Sequence, residues 1–279
     1  MGNKILIFLI LNVILLQGKE RNIHFGIASV LSPEESIIYY NELLKYASQK
    51  TNLPIKIKFG DYNEINNLLK LNKIECGFVC SGAYIKIKDY VEILAVPVIN
   101  GKTTYKSYII VGKNLNIEDF KELKNKSFAF VNEISLTGYI YPIYLLSKIG
   151  EKPDKFFSKI LFTQSHTNSI IGVGKNLIDG AGVDSIIFEY YRKRYPEIAS
   201  NIKIIDSSPE FGIPPIVVLK NLDKDIKIKL KNFFLNLHKD RNGMEILNKI
   251  YIDKFVEGDN NKYKEIQIVG EKVEEFLKR

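Results

Sequence analysis

Apolar and polar positions change period again and again along this chain, and the changes mark out its elements. Ile23 to Ala28 is an apolar run that predicts a first strand. SPEE, Ser32 to Glu35, predicts the helix after it, with a serine N-cap, a proline at the first helical position and a glutamate completing a capping box. That helix runs to about Lys50. Ile55, Ile57 and Phe59 alternate with lysines as a strand, Asn63 to Leu71 has helical spacing, and Cys76 to Cys80 predicts a buried strand. Val91 to Ile99 and Ser107 to Val111 add two more strands. The second half continues in the same way: strand Phe128 to Val131, helix Tyr139 to Ile149 stopped by Gly150, and strand Ile160 to Thr163 before a helix near Ser165. Asp179 to Asp184 predicts a strand, Ile186 to Tyr195 a helix, Ile202 to Ile205 a strand, and Pro214 and Pro215 introduce the apolar run Ile216 to Leu219. Strands alternating with helices predict an α/β fold.

The first residues follow another pattern. Met1 to Lys4 give a positive start, Ile5 to Leu16 form a twelve-residue apolar stretch broken only by Asn12, and Gln17 to Glu20 a polar exit, as in a secretory signal peptide. As a helix such a stretch is only about 18 Å long, against a hydrocarbon core of about 30 Å. Export is expected, with an uncleaved anchor as the alternative, since no A-x-A site is visible. Cys76 and Cys80 are the only cysteines. On one face of a strand they would lie about 13 Å apart, beyond the roughly 7 Å that a disulfide spans, so they are expected as buried small apolar residues.

A chain of 279 residues with 46% hydrophobic content can bury one large core or two lobes. The net charge of +8 is scattered and comes with neither zinc-finger spacing nor an aromatic RNA-binding run, so nucleic acid is not an expected partner. His24, His166 and His238 are widely spaced and no H-E-x-x-H is present, so neither a metal nor another cofactor is expected. GKT at Gly101 to Thr103 lacks the first glycine of a phosphate loop, since Val96 stands there.

The candidate chemistry lies in SLTGY, Ser135 to Tyr139, where a strand hands over to a helix. Hydroxyls and the unpaired N–H groups of a first helical turn can hold a small oxyanion without a metal. His166 and Asp184 stand at the corresponding strand-to-helix junctions further on. Simpler roles are open to each residue: an N-cap for Ser135, capping for His166 and Asp184, and packing for Tyr62 and Tyr84. Ser135, His166 and Asp184 also contain the letters of a hydrolytic triad, although ISLT is not the G-x-S-x-G elbow.

Four blocks in order, FGDYNEINNLLKLNKIECGF, NEISLTGYIYPIYLLSKIG, SHTNSIIGVGKNLIDGAGVDS and SPEFGIPPIVV, make the chain similar to the PhnD-like phosphate, phosphite and phosphonate binding proteins of ABC transporters. The resemblance implies a two-lobed periplasmic-binding-protein type 2 fold, each lobe a mixed sheet flanked by helices, joined by a hinge of two crossovers near Thr103 to Ser107 and Ile204 to Ser208. Residues 1–20 would be the leader or anchor and 21–106 the first part of lobe 1. Residues 107–207 would form lobe 2, and 208–279 the rest of lobe 1 with the C-terminal helices. The implied function is capture of a phosphonate, phosphite or phosphate in the cleft by an exported monomer that delivers it to a membrane permease, without catalysis. A sensor presenting ligand to a receptor is the alternative within the fold, and a serine hydrolase using Ser135 the alternative outside it. The resemblance implies ligand-binding roles for Ser135, Thr137 and Gly138, for the backbone of Leu136, where many members carry another hydroxyl, and for His166 and Tyr62. Asp184 is placed to pair with a ligand amine, and Tyr84 stands near the position of an expected cleft aromatic.

Overall fold

The computed structural model describes the backbone of residues 22–28 and 33–279, with side chains of the first helix described from Tyr40 onward. The expected leader and the capping box at Ser32 lie outside those residues. The chain opens with strand β1 (Ile23–Ala28), helix α1 (Pro33–Thr51), β2 (Ile55–Gly60), α2 (Tyr62–Lys70), β3 (Cys76–Phe78), α3 (Ser81–Ile87) and β4 (Val91–Val98). Asparagines punctuate the helix ends: Asn52 and Asn72 take left-handed φ values of 53° directly after α1 and α2, a conformation asparagine tolerates better than most residues. The predicted strand Cys76 to Cys80 stops at Phe78, and Cys80 instead caps α3. Both cysteines are buried free thiols.

A two-residue strand, β5 (Thr104–Tyr105), precedes β6 (Ser107–Gly112), β7 (Ser127–Phe130), α4 (Tyr141–Ile149), the short α5 (Pro153–Phe156), β8 (Lys159–Phe162), α6 (His166–Gly174), β9 (Gly180–Asp184), α7 (Ser185–Arg194), the short α8 (Pro196–Ala199) and β10 (Ile202–Ser207). The chain closes with β11 (Phe211–Gly212), β12 (Ile216–Leu219), α9 (Lys224–Asn236), α10 (Arg241–Lys249), β13 (Lys254–Val256) and α11 (Lys264–Lys278).

These strands form two mixed sheets. The first has order β13-β4-β12-β3-β1-β2 and the second β10-β6-β9-β7-β8. In each, the strands followed by crossover helices run parallel, β2 and β3 beside β1 and β8 and β9 beside β7, while the strands next to the chain crossings run antiparallel. The chain leaves the first sheet after Val98, enters the second at Ser107, leaves it after Ser207 and re-enters the first at Ile216. On the way the two crossings pair with each other as β5 and β11, with Tyr105 opposite Phe211 and Thr104 opposite Gly212. The Ser107 N–H also donates to Ser208 Oγ at 2.8 Å, a second tie between the crossings.

Each sheet is buried by apolar side chains on its helix-covered faces. Phe25, Phe78, Phe234 and Phe255 stack through the first sheet at ring separations of 5.2 to 6.5 Å. Phe120, Phe128, Phe130, Phe156 and Phe157 do the same beside the second. Helix α11 belongs to neither sheet alone: it packs against α3 on one side and α4 on the other, and the Lys152 ammonium lies 4.2 Å from the Phe276 ring centroid.

Candidate functional site

The strand-to-helix junctions of the two sheets face each other across the paired crossings, and the buried polar residues collect there. In the second sheet, Ser135 caps a single π-type turn, Leu136–Ile140, that leads into α4. The wide turn follows from the backbone bonding: Tyr139 and Ile140 both donate to the Ser135 carbonyl, at 3.1 and 2.9 Å. The Ser135 hydroxyl accepts from the Gly138 N–H at 3.1 Å, so that amide is satisfied within the turn, while the serine's own proton remains available to donate. Gly138 is required by packing, because a Cβ there would stand 2.5 Å from Val131 Cγ2. The Thr137 carbonyl accepts from Ser107 Oγ at 2.7 Å, which fixes this turn to the strand paired with Asp184.

His166 begins α6 behind its N-cap Ser165, and Asp184 ends β9 and caps α7. The two are joined by a bond that settles the histidine tautomer: the Asp184 N–H donates to His166 Nδ1 at 3.1 Å. Nδ1 is therefore an acceptor and Nε2 carries the proton. Burial lowers the His166 pKa to about 3, so the ring is neutral and offers one N–H. The Asp184 carboxylate accepts from the Ile186 and Ile187 N–H groups at 2.7 and 3.3 Å, yet burial outweighs these bonds and raises its pKa to about 7. Ser135, His166 and Asp184 are thus neighbours in one buried region but do not make a hydrolytic relay. That relay needs the histidine Nδ1–H to donate to the carboxylate, and here Nδ1 receives a backbone proton instead.

The first sheet contributes Tyr62, the first residue of α2, fully buried behind the N-cap Asp61. Burial pushes its phenol pKa well up, Cys80 and Asp184 add to the rise, and the facing Ser135 hydroxyl offsets part of it. Cys80 faces the N–H groups of Leu136, Gly82 and Ala83, which partly counter the rise that burial imposes on its thiol. Gly82 packs directly on the opposite turn; a Cβ there would lie 2.5 Å from the Ile134 carbonyl and 2.9 Å from the Leu136 nitrogen. Ser81 donates to the Gly212 carbonyl at 2.6 Å, anchoring α3 to β11.

One residue sits differently from the sequence-based expectation, and another that carried no expectation joins the buried region. Tyr84 points away from this region: its hydroxyl donates to Asn260 Oδ1 at 3.1 Å and its ring meets Tyr263 edge to face at 5.0 Å. Tyr105, in β5 between the sheets, takes the place of an aromatic among the buried polar groups. It is 3% exposed, and its phenol pKa is pushed well up by burial and then by Cys80 and Asp184. A tyrosine in the short TTYKS run carries no periodic signal, which is why pattern reading passes over it. Among the described residues, the hydroxyls of Tyr62, Tyr105 and Thr137 are buried and make no hydrogen bond of normal length and angle within the protein, although the Ser135 and Ser81 hydroxyls face the two phenols. No group of three or more metal-ligating side chains occurs among the described residues.

A family profile described as "ABC transporter, phosphonate, periplasmic substrate-binding protein" matches residues 25–263. A probable ABC transporter phosphite binding protein of Prochlorococcus marinus (strain MIT 9301) is 29% identical over 181 residues, 61% of this chain and 61% of the relative. The match thus spans less than two thirds of that relative. The phosphonates-binding periplasmic protein of Escherichia coli K12 is 24% identical over 243 residues, 84% of this chain and 71% of the relative. The crystal structure of a binding protein component of an ABC phosphonate transporter from Pseudomonas aeruginosa superposes with a TM-score of 0.86 at 25% identity, covering 92% of this chain and 88% of that one. Two mixed sheets flanked by helices are the type 2 periplasmic binding architecture, and the matched family is one of transport binding proteins rather than enzymes. The chain belongs to the family of periplasmic phosphonate substrate-binding proteins of ABC transporters.

Proposed function

We propose that this protein captures a small phosphorus oxyanion, a phosphonate or phosphite, between its two sheets and delivers it to the permease of an ABC transporter. The three buried hydroxyls of Tyr62, Tyr105 and Thr137 without protein partners carry this reading. A buried hydroxyl left unpaired costs about 1 to 3 kcal/mol, and a tetrahedral oxyanion offers several acceptor oxygens to satisfy all three at once. Ser135 and the neutral His166 Nε2–H supply further donors, while Asp184 contributes a donor when protonated or takes up a proton the ligand brings. Residues 21–106 with 208–279 form one lobe and 107–207 the other, hinged at β5 and β11, and the N-terminal segment exports the chain.

The Prochlorococcus and Escherichia relatives, named as a probable phosphite binding protein and a phosphonates-binding protein, support the ligand class. Isothermal titration of residues 21–279 with phosphite, phosphate, methylphosphonate, 2-aminoethylphosphonate and sulfate tests it. One-to-one binding of a phosphorus oxyanion, weakened by about 1 to 3 kcal/mol in Thr137→Ala, is the expected result. Silence across the panel, or unchanged affinity in that variant, overturns it.

A further inference from the structure

Beside the buried hydroxyls lies a second compartment of opposite character. It is a cavity of about 120 Å³ whose walls come from both halves of the fold: Tyr40 of α1, Phe78 of β3 and Ile99 after β4 on one side, Ile186 and Ile187 of α7 on the other, with Ile252 beyond α10. Asp184 stands at the seam. It lines the cavity, while its backbone N–H is bonded to His166. Phe78 continues into Cys80, so the apolar wall and the polar site share β3 and its exit. The Tyr40 ring packs on Phe78 at 4.9 Å, and its hydroxyl pKa is pushed up to about 12 by burial and then by Asp184.

Little in this compartment suits a charged group. Asp184 and Lys249 are the charged residues among its described lining, and the Lys249 ammonium is engaged with both Glu42 oxygens at 2.7 and 2.9 Å. The Asp184 carboxylate already accepts two N–H groups. At the outer edge, Tyr190 and Tyr251 meet edge to face at 5.4 Å and also line the neighbouring polar groove that carries Lys102, Lys106 and Lys193. Tyr251 holds φ at 55°, an uncommon conformation for a bulky residue, which keeps its ring at this edge. A dry cavity of roughly 150 Å³ walled by apolar side chains accepts benzene, so a space of this size takes a short hydrocarbon chain.

We infer that the cargo is a phosphonate bearing a hydrocarbon substituent longer than methyl, with its phosphoryl oxygens among the buried hydroxyls and its tail in the apolar compartment beside Asp184. This rests on the phosphorus-oxyanion reading above and narrows it. The test is a titration series of methyl-, ethyl-, propyl- and 2-aminoethylphosphonate on the wild-type protein and on Ile99→Asn, whose side chain lines only the tail compartment and the groove next to it. Burial of a methylene corresponds to about a fourfold gain in affinity, so propylphosphonate is expected to bind roughly tenfold or more tightly than methylphosphonate. It is also expected to bind more tightly than the aminoethyl compound, and Ile99→Asn should bring the propyl-to-methyl ratio toward one. Methylphosphonate binding as well as or better than propylphosphonate, or a preference for the aminoethyl compound, overturns this inference and leaves the oxyanion reading standing. If none of the phosphonates binds, this inference falls, and if phosphite and phosphate are silent as well, the oxyanion reading falls with it. The wild-type series decides even if the variant fails to fold.

Discussion

At the scale of single residues, the site is governed by groups whose partners the protein withholds. Tyr105→Phe removes one orphaned hydroxyl and leaves the ring packing intact. It should weaken oxyanion binding by about 1 to 3 kcal/mol, read by titration, with no loss of thermal stability. Asp184 and His166 make a second prediction, with opposite signs. The native state keeps a proton on Asp184 up to about pH 7 that an ordinary carboxylate at 3.8 releases, so this group makes stability fall as pH rises between those values. His166 remains unprotonated down to about pH 3, whereas the unfolded chain takes up a proton below 6.5, so it makes stability rise with pH over that range. Where the ranges overlap the two slopes cancel. Asp184→Asn removes one of them, and its stability relative to the parent should climb by about 1.4 kcal/mol per pH unit between roughly pH 4 and 6.5 in a denaturation series. The placement of Ser135, Thr137, His166 and Asp184 at helix starts was legible in the sequence because each sits where an apolar strand gives way to a helix. Tyr84 was misplaced because proximity to Cys80 along the chain does not survive the turn of α3, which carries it round to Asn260. Tyr105 was illegible because its importance comes from the pairing of two distant segments.

Among the elements, long and strongly patterned ones were read well from sequence, and short ones set by tertiary contact were not. The alternation of period gave β1, β4, β6, β7, β9 and β12 nearly in place, and Gly150 ends α4 in the left-handed conformation, φ 72°, that the pattern required. β5 and β11 are two residues each and exist only because the crossings run side by side, a long-range fact with no local signature. The π-type turn after Ser135 is similar: the sequence points to a helix start, but the extra width depends on Gly138 fitting against Val131. Capping is the energy that local sequence controls most directly. Ser165 accepts the Asn168 N–H at 3.1 Å at the head of α6, so Ser165→Ala should cost about 0.5 to 2 kcal/mol in urea denaturation. The same variant should loosen the His166 ring and weaken ligand binding as well.

For the whole molecule, the decisive contact is the one where the two sheets' helix starts meet. Gly82 leaves no room for a side chain, since its missing Cβ would press on main-chain atoms of Ile134 and Leu136 rather than on a flexible side chain. Gly82→Ala should therefore hold the two halves apart, lowering ligand affinity and enlarging the radius of gyration of the ligand-saturated protein in X-ray scattering. Equal scattering profiles for variant and parent would show that this approach is not part of ligand capture. Helix α11 bridges the same two elements, lying on both α3 and α4, with Lys152 over the Phe276 ring. The unmet hydroxyls of Tyr62, Tyr105 and Thr137 bear on transport economy. On the proposed hinged reading, an empty carrier that shuts forfeits about 1 to 3 kcal/mol for each of them, so even the lower figure summed over three makes the shut, unloaded form rarer than one molecule in a hundred. On the proposed delivery to a permease, a permease that responds to the shut shape is then rarely triggered without cargo.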